Sequence, residues 1–307
     1  FIAPANAIRY AGAWPVFMDA EPLYWQMDPE KVVDFLEKEC RWQNGHLANR
    51  TTGRRVKAIL PVHILGHPCD MDPILDVAQK YDLAVIEDAT ETLGAGYKGR
   101  MVGHLGNIAC FSFNGNKLIT TGGGGMIVTD NHKWAERARY LTTQAKDDPI
   151  EYIHNEIGYN YRLSNIQAAM GVGQMEQIEG FIAKKRAIAR VYEEAFCELY
   201  GITLMPTQPS AEPTYWLYTI LLHQGTTLEG RKAVIRKLNE NGIGARPLWH
   251  TVHDLSPYLN CQAFQIEHAI RLYKRGVSLP SSVGLEPHDL ERCVATVKNS
   301  ILNKMRI

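Results

Sequence analysis

The stretch VKAILPVHILGHPCDMDPILDVAQKYDLAVIEDA, residues 56–89, decides the fold class of this chain. It opens with aliphatic and β-branched residues from Val56 to Val62, which are typical of a buried strand. Its middle carries apolar residues at helical spacing, namely Met71, Ile74, Leu75 and Ala78. Leu83–Ile86 is a second short apolar run. A strand, a helix and a strand within about 35 residues form a βαβ unit, which normally has parallel strands and a right-handed crossover.

Further apolar patterns extend this α/β alternation along the chain. Strands are predicted at Ile108–Phe113, Met126–Thr129 and Tyr215–Leu222, and helical segments at Asn165–Leu199 and Leu228–Asn239. We therefore predict a large α/β domain over residues 1–180 and a smaller α/β domain over residues 181–307, bridged by a long helix. Ligands of such sheets bind at the carboxyl ends of the strands, so functional residues are expected there.

Composition and charge exclude several classes of protein. The hydrophobic share of 45% and the charged share of 21% are ordinary for a globular chain. Lys and Arg total 33, as do Asp and Glu, so no charge excess indicates a nucleic-acid or membrane partner. No apolar run approaches the ~20 residues of a membrane span, and Phe1 is not followed by a signal-peptide pattern. The six dispersed cysteines form no CxxC pair, which favours a cytoplasmic protein with reduced thiols.

Two acidic residues follow the second predicted strand. Glu87 and Asp88 stand directly after Leu83–Ile86. A carboxylate at the carboxyl end of a buried strand points into the ligand crevice of an α/β sheet. An acid in this place can also cap a helix or lie in a solvated turn, so both interpretations stay open.

A lysine follows the next strand in the segment Phe111-Ser112-Phe113-Asn114-Gly115-Asn116-Lys117. An amine close to a buried strand, beside small polar residues, can be desolvated and act as a nucleophile toward a carbonyl group. The simpler alternative for an isolated lysine is a surface charge. The lysine is therefore a candidate that needs support from its neighbours.

Four consecutive glycines follow the lysine in Thr120-Thr121-Gly122-Gly123-Gly124-Gly125. Glycine permits positive φ and close backbone approach, as a phosphate cradle requires. A tight turn that holds the lysine against the sheet explains the run equally well. The chain contains neither a GxxxxGK[ST] loop nor a GxGxxG fingerprint after a strand, which excludes a nucleotide P-loop and disfavours a nicotinamide oxidoreductase.

Two histidines have the spacing of a metal pair. His63 and His67 lie four residues apart. They follow a strand instead of lying on a helix, and no carboxylate completes a ligand set. We therefore predict turn residues here and no metal site.

Taken together and in this order, seven segments resemble the DegT/StrS-type nucleotide-sugar aminotransferases. They are residues 85–91, 103–108, 112–117, 120–125, 158–169, 245–249 and 279–282. The resemblance covers essentially the whole chain. The sequence NGNK followed by TTGGGG is particularly similar to members that make UDP- or GDP-linked 4-amino-4,6-dideoxy sugars.

The resemblance implies a fold, a reaction and an assembly. The fold is of the aspartate-aminotransferase type (type I of the pyridoxal-phosphate enzymes), with a mixed, mostly parallel sheet in the large domain. The reaction is transamination of a nucleotide-linked 4-keto-6-deoxy sugar, with an amino acid, expected to be glutamate, as the nitrogen donor. The assembly is a homodimer with shared active sites, and the expected setting is polysaccharide or lipopolysaccharide biosynthesis.

The resemblance also implies roles for individual residues. Lys117 holds pyridoxal 5'-phosphate as the Schiff-base lysine and then acts as general acid and base. Asp88 pairs with the pyridine nitrogen, and Glu91 lies near the ring hydroxyl. The remaining cofactor contacts are implied for Ser112, for Asn160 from the partner subunit and for Phe1, which stacks on the ring. Weaker candidates, for substrate binding, are Arg162, Trp249 and His250.

The resemblance leaves two alternative functions open, and the chain departs from the family pattern at one point. A catalytically inactive homologue, serving as a dimer partner or a regulatory binding module, is the main alternative function. A dehydratase of the same family carries histidine in place of Lys117. Relatives also hold the cofactor phosphate on a small-residue turn in an amino-terminal segment. No such turn precedes Phe1, so this sequence is expected to lack that part of the phosphate site.

Overall fold

The structure, a computed structural model, describes residues 1–302 as short strands alternating with helices. The helices are α1 (Ala3–Tyr10), α2 (Pro29–Asp34), α3 (Met71–Lys80), α4 (His132–Thr142), α5 (Asn165–Met175), α6 (Ile178–Phe196), α7 (Leu228–Glu240), α8 (His268–Arg275) and α9 (Pro287–Leu302). The strands are β1 (Phe17–Met18), β2 (Cys40–Gln43), β3 (His46–Asn49), β4 (Ala58–Ile59), β5 (Ala84–Asp88), β6 (Gly96–Tyr97), β7 (Arg100–Met101), β8 (Ile108–Ser112), β9 (Gly125–Val128), β10 (Ile202–Leu204), β11 (Ala211–Glu212), β12 (Tyr218–Leu222), β13 (Arg246–Pro247), β14 (Ala263–Phe264) and β15 (Gly276–Leu279).

The predicted βαβ unit is confirmed by β4, α3 and β5. The two strands pair in parallel, with Ala58 opposite Ala84. Strand β4 is shorter than the predicted run because Pro61 has no N–H to donate to the ladder. The carbonyl of Pro61 still accepts from the N–H of Asp88 at 2.9 Å, and Val62 forms an isolated parallel bridge with Asp88. The end of β5 is therefore fixed from the β4 side.

The sheet that contains this unit has the strand order β4-β5-β8-β9. Strand β8 is parallel to β5, whereas β9 runs antiparallel to β8. Two of its three pairings are thus parallel, as the expected mixed and mostly parallel sheet requires. Since β5 and β8 run in the same direction, their carboxyl ends, with Asp88 and Ser112, lie at one edge of the sheet.

A second sheet, with the order β10-β12-β15-β13, lies in the carboxyl-terminal part of the chain and is antiparallel throughout. Every residue of β12 is buried, and a core of apolar residues from α6, α7, α9 and this sheet surrounds it. The helical segment predicted from Asn165 to Leu199 is two helices, α5 and α6. They separate at Gln177, where φ of −110° and ψ of 2° leave helical geometry.

Two separate apolar cores accompany the two four-stranded sheets. One is built around α3 and β5, and the other joins α6 and β12 to α7 and α9. Phe264 of β14 belongs to the first core because β14 pairs in parallel with β1. The domain boundary near residue 180 stays a prediction, and it falls at the start of the 19-residue helix α6. Within residues 1–302, no helix is both long and apolar enough to cross a membrane.

Candidate active site

The two acids that end β5 lie in different environments. Side chains alternate between the faces of a strand, so neighbours point to opposite sides. Glu87 is completely buried, whereas Asp88 is half-buried at the edge of the sheet. Asp88 Oδ1 accepts the N–H of Thr90 at 3.2 Å. Of the two, only Asp88 is accessible at the edge of the sheet, and its role toward a ligand stays a prediction.

Glu87 holds the loop between β7 and β8 against the sheet. Its Oε1 accepts the N–H groups of Leu105 at 2.8 Å and of Gly106 at 2.6 Å, and Oε2 accepts that of Gly103 at 2.9 Å. His63 Nε2 lies 3.1 Å from the same Oε2. Burial alone would raise the pKa of the Glu87 carboxyl, but the hydrogen bonds from His63 and the backbone amides lower it overall. Glu87 is therefore a structural carboxylate directly beneath the site.

Replacing Glu87 by glutamine is expected to lower the free energy of unfolding by about 3 kcal/mol. All four groups around the carboxylate are donors, so the glutamine NH₂ must face at least one of them. Urea denaturation of the cofactor-free chain at neutral pH measures the loss, with Glu240→Gln on the exposed end of α7 as the matched control. Because the folded-state pKa of Glu87 is lowered, the difference should shrink as the pH falls and the carboxylate is protonated. Equal stability of the two variants would contradict this role.

The two candidate metal histidines are buried in hydrogen-bond networks. Nδ1 of His63 accepts the N–H of Cys69 at 2.9 Å, which places the ring proton on Nε2, facing Glu87. In His67, Nδ1 donates to the carbonyl of Pro68 at 2.7 Å and Nε2 accepts from Gln208 at 3.2 Å. Burial lowers the pKa of His67 to about 4. Among the described residues, no group of three or more potential metal ligands is found.

Lys117 lies beside Glu91, so the structure brings two of the predicted site residues together. The lysine follows β8 in a turn that its N–H closes on the carbonyl of Asn114 at 3.0 Å. Its Nζ is 3.7 Å from Glu91 Oε1 and 4.0 Å from the centre of the Trp216 ring. The lysine side chain is only 13% exposed. The amine is thus withdrawn from solvent rather than a surface charge, and it has an acid and an aromatic face as neighbours.

Glu91 is a buried carboxyl with one fixed oxygen. Its Oε2 accepts the N–H of Leu65 at 2.7 Å, while Oε1 faces Lys117. Leu65 has a positive φ of 63°, which turns its N–H toward the carboxyl. Burial raises the pKa of Glu91 to about 7, although the charge of Lys117 opposes the shift. Asp88 raises it further, so the charges of Asp88 and Lys117 both act on Glu91.

Replacing Glu91 by glutamine is expected to change how stability depends on pH. A folded-state pKa of about 7, against the usual 4.5, means that the folded chain binds this proton more tightly than the unfolded chain. The wild type should therefore lose stability as the pH rises through that window. The side chain of the variant cannot ionise. Between about pH 5 and about pH 8, its free energy of unfolding should therefore rise by on the order of 3 kcal/mol relative to that of the wild type. Urea titrations of both cofactor-free chains test this, and parallel pH profiles would contradict it.

Three aromatic side chains line the site, and the sequence predicted only two of them. The Trp216 and Trp249 rings stack with centroids 6.2 Å apart and an angle of 6°, and Phe1 packs edge-on against Trp249 at 5.9 Å. Phe1 and Trp249 were predicted, whereas Trp216 was not. It lies 99 residues beyond Lys117, and no local pattern connects the two positions. The indole Nε1 of Trp216 donates to the carbonyl of Asn116 at 2.8 Å, directly beside the lysine.

The glycine run is a tight turn in this structure. Gly122 and Gly124 have positive φ values of 78° and 87°, and a Cβ at Gly125 would lie 2.3 Å from the carbonyl oxygen of Phe111. The run thus returns the chain from the lysine loop into β9 at a distance from β8 that only glycine permits. Ser112 ends β8, and its hydroxyl oxygen accepts the N–H of Asn114 at 3.3 Å.

Three other predicted residues lie outside this group of contacts. Asn160 and Arg162 are exposed, and Asn160 forms an isolated bridge with Thr143. His250 is also exposed, and its ring packs at 4.7 Å against Tyr273. Their predicted roles stay predictions.

The amino-acid sequence matches a family model, described as the DegT/DnrJ/EryC1/StrS aminotransferase family, over residues 1–298. The chain belongs to this family. Its relatives include a GDP-perosamine synthase of Caulobacter vibrioides, which is 37% identical over 97% of this chain and 76% of the relative. A GDP-perosamine synthase of Escherichia coli O157:H7 is 39% identical over 92% of this chain and 71% of the relative.

Solved structures of DegT-family proteins have the same fold. S. venezuelae DesV is 28% identical, with a TM-score of 0.84 over 97% of this chain and 75% of that one. Helicobacter pylori PseC, an aminotransferase of pseudoaminic acid biosynthesis, is 25% identical, with a TM-score of 0.87 over 99% of this chain and 78% of its own. The predicted type I fold of the pyridoxal-phosphate enzymes is confirmed.

The residues present fit the ring of pyridoxal phosphate, the cofactor of the DegT-family aminotransferases. Asp88 is a half-buried carboxylate for which no ion pair is found between residues 1 and 302. Such a group suits a pyridine nitrogen that carries a proton. Lys117 offers the amine, Phe1 an aromatic face and Ser112, at the same edge of the sheet, a hydroxyl group for the phosphate.

Proposed function

We propose that this chain transfers an amino group, with pyridoxal phosphate, from an amino acid to a nucleotide-linked 4-keto-6-deoxy sugar. The observation that carries the proposal is the position of the Lys117 amine, withdrawn from water and 3.7 Å from the Glu91 carboxyl. The family match and the GDP-perosamine synthases among the relatives support the sugar-nucleotide substrate. Glutamate is the proposed donor.

The chain's own residues divide the work. When bound, the cofactor supplies an electron sink for the carbon that loses its proton. Lys117 would hold the cofactor through its amine and, when that amine is free, would carry the proton that amino-group transfer moves. Asp88 would keep a positive charge on the pyridine nitrogen, Glu91 would bind the ring hydroxyl, and Ser112 would donate to the phosphate. Trp249 and the neighbouring His250 are proposed to border the sugar, with Arg162 as a further substrate contact.

An absorbance spectrum with added pyridoxal phosphate, before and after glutamate, tests the proposal. A visible band that converts to the spectrum of the pyridoxamine form is the expected result. If the band forms and glutamate does not change it, the donor or the reaction is wrong. Product formation from GDP-, UDP- and dTDP-linked 4-keto-6-deoxy sugars then identifies the substrate. An inactive homologue, the main alternative, would give no conversion with any amino acid.

A homodimer with shared sites is part of the proposal. Helix α5 has no buried residue, and Ile157, Tyr161 and Ile166 are 86%, 73% and 76% exposed. Contiguous exposed apolar side chains mark interaction surfaces. Asn160 lies in the same region, and we propose that a second copy covers it and receives Asn160 at its cofactor. The expected cytoplasmic location stays a prediction.

Mixed dimers test the sharing directly. Lys117→Ala and Asn160→Ala are each expected to be inactive, whereas co-expression should restore about a quarter of wild-type activity. Half of the random dimers are mixed, and each mixed dimer has one site with both residues intact. Ile166→Glu is the control for dimer formation. It introduces a charge into the proposed dimer surface, at the first turn of α5, where the helix dipole tolerates a negative charge. No recovery on mixing, with each dimer intact, would show that the sites are not shared.

A further inference from the structure

We infer that the indole face of Trp216, together with Glu91, is a resting place for the Lys117 amine whenever that amine is not bonded to the cofactor. The inference rests on the proposed function, since only a lysine that is repeatedly released needs such a place. Trp216 acts through Lys117 and is therefore a positioning residue. No family motif identified in the sequence includes it.

The geometry at the amine defines the resting place. Nζ lies 4.0 Å from the centre of the Trp216 ring, within the range in which an ammonium group is attracted by an aromatic face. Glu91 Oε1 lies 3.7 Å from the same nitrogen. Trp216 is 6% exposed and Glu91 is 7% exposed, so water screens neither interaction effectively. The two groups attract the amine without bonding it covalently.

Hydrogen bonds to the backbone and to the indole of Trp216 fix the position of its ring. Lys185, a buried lysine of α6, donates from Nζ to the Trp216 carbonyl at 2.7 Å and to the hydroxyl of Ser281 at 3.0 Å. Burial lowers the pKa of Lys185 to about 7. On the other side, the Trp216 indole N–H is tied to Asn116. The ring is thus anchored both to the carboxyl-terminal half of the chain and to the lysine loop.

One turn positions both halves of the resting place. In the turn Ile64–Gly66, the N–H of Leu65 fixes Glu91 Oε2 at 2.7 Å. The next residue, Gly66, lies so close to the backbone of Trp216 that a Cβ would be 2.4 Å from its nitrogen. The carboxyl and the ring are therefore placed relative to each other by consecutive residues. This is the arrangement expected if both serve the same amine.

The resting place explains how the amine can be released and yet remain available. A lysine side chain has several rotatable bonds and loses much rotamer entropy when it is held in one place. The ring and the carboxyl confine the free amine to the site without bonding it. We therefore expect Trp216 to affect the proton-transfer step and kcat, with little effect on the KM values of the two substrates.

Chemical labelling of Lys117 in the full chain tests the inference. The chain is treated with trinitrobenzenesulfonate, both cofactor-free and with pyridoxamine phosphate added, and the labelled Lys117 peptide is quantified by mass spectrometry. Trp216→Leu should be labelled about tenfold faster than wild type in both states, because a desolvated cation–π contact is lost. Trp42→Phe, at an exposed tryptophan of the β2–β3 hairpin, is the matched control and should behave as wild type.

Trp216→Phe separates the ring face from the indole hydrogen bond. Phenylalanine keeps an aromatic face but cannot donate to the Asn116 carbonyl, so it should restore labelling to within about threefold of wild type. If Trp216→Phe is labelled as fast as Trp216→Leu, the hydrogen bond and not the face positions the amine, and the inference is overturned. A wild-type rate in Trp216→Leu overturns it as well. Trp216→Met, whose unbranched and flexible side chain adapts better to irregular space, replaces the leucine variant if circular dichroism shows that the latter is unfolded.

The labelling experiment tests the resting place independently of the proposed function. Labelling of the cofactor-free chain needs no catalysis, so it reports on the resting place even if no absorbance band forms with pyridoxal phosphate. In the active enzyme, Trp216→Leu should lower kcat about tenfold with KM nearly unchanged. A raised KM for the sugar with an unchanged kcat would instead make Trp216 a substrate contact and overturn the inference.

Discussion

Replacing Lys117 by alanine is expected to abolish transamination, with a loss of at least about 10⁴-fold in kcat. The variant loses the amine that bonds the cofactor and the group that moves the proton. In the wild type, the amine of Lys117 lies 3.7 Å from Glu91 and 4.0 Å from the centre of the Trp216 ring. An amine dissolved in the buffer is not held in this place, so it does not replace the lysine. The measurements are steady-state turnover with glutamate and the sugar nucleotide, and the visible spectrum with pyridoxal phosphate.

Lys133→Ala is the matched control, because Lys133 is exposed on α4. It should retain the wild-type spectrum and turnover. The structure of the Lys117 variant should change little, since the backbone hydrogen bond from the N–H of residue 117 to the carbonyl of Asn114 does not depend on the side chain. Retained transamination by a folded Lys117→Ala chain would remove the central claim about this site.

Replacing Asp88 by asparagine is expected to leave the fold intact and to lower kcat by about 10²- to 10³-fold. Asparagine has nearly the same shape, and its side-chain oxygen can still accept the N–H of Thr90. It carries no charge, so the pyridine nitrogen is no longer held protonated and the ring withdraws electrons less effectively. Stopped-flow spectra of the half-reaction with glutamate, together with the melting temperature, measure the two effects separately.

The control for this change is Asp130→Asn, at a carboxylate that is 85% exposed and far more accessible to water than Asp88. It should match wild type in the half-reaction. A wild-type rate in Asp88→Asn would mean that another group supports the pyridine nitrogen. A large fall in melting temperature would instead show that Asp88 has a structural role like that of Glu87.

Residues that are near one another in the sequence were predictable from the sequence alone. The βαβ unit followed from local periodicity, and both of its strands and its helix are present at the expected places. Lys117 was recognised because it follows a strand and precedes a glycine run in a pattern that resembles a known family. Its proximity to Glu91 could be expected because both residues follow strands that are neighbours in one sheet.

Other features depend on contacts that no local pattern encodes. The resemblance assigned Asp88 to the site, but the sequence did not reveal that Glu87 holds the loop behind the sheet. His63 and His67 were predicted as turn residues, and their turn is confirmed, but their burial and their hydrogen bonds were not foreseen. Which acid is structural was decided by the backbone amides that converge on Glu87 from a loop 16 to 19 residues away.

The sequence by itself determined the fold class and predicted Lys117 and Glu91 as site residues, because strand and helix periods and short motifs act over a few residues. The tertiary structure alone decided that Trp216 faces Lys117 and that Leu65 and Gly66 place Glu91 and Trp216 together. The physical reason is that these contacts join residues 26 to 150 positions apart in the chain. Such contacts form only when both cores have packed and the positive φ of Leu65 and Gly66 brings their turn against the carboxyl-terminal half.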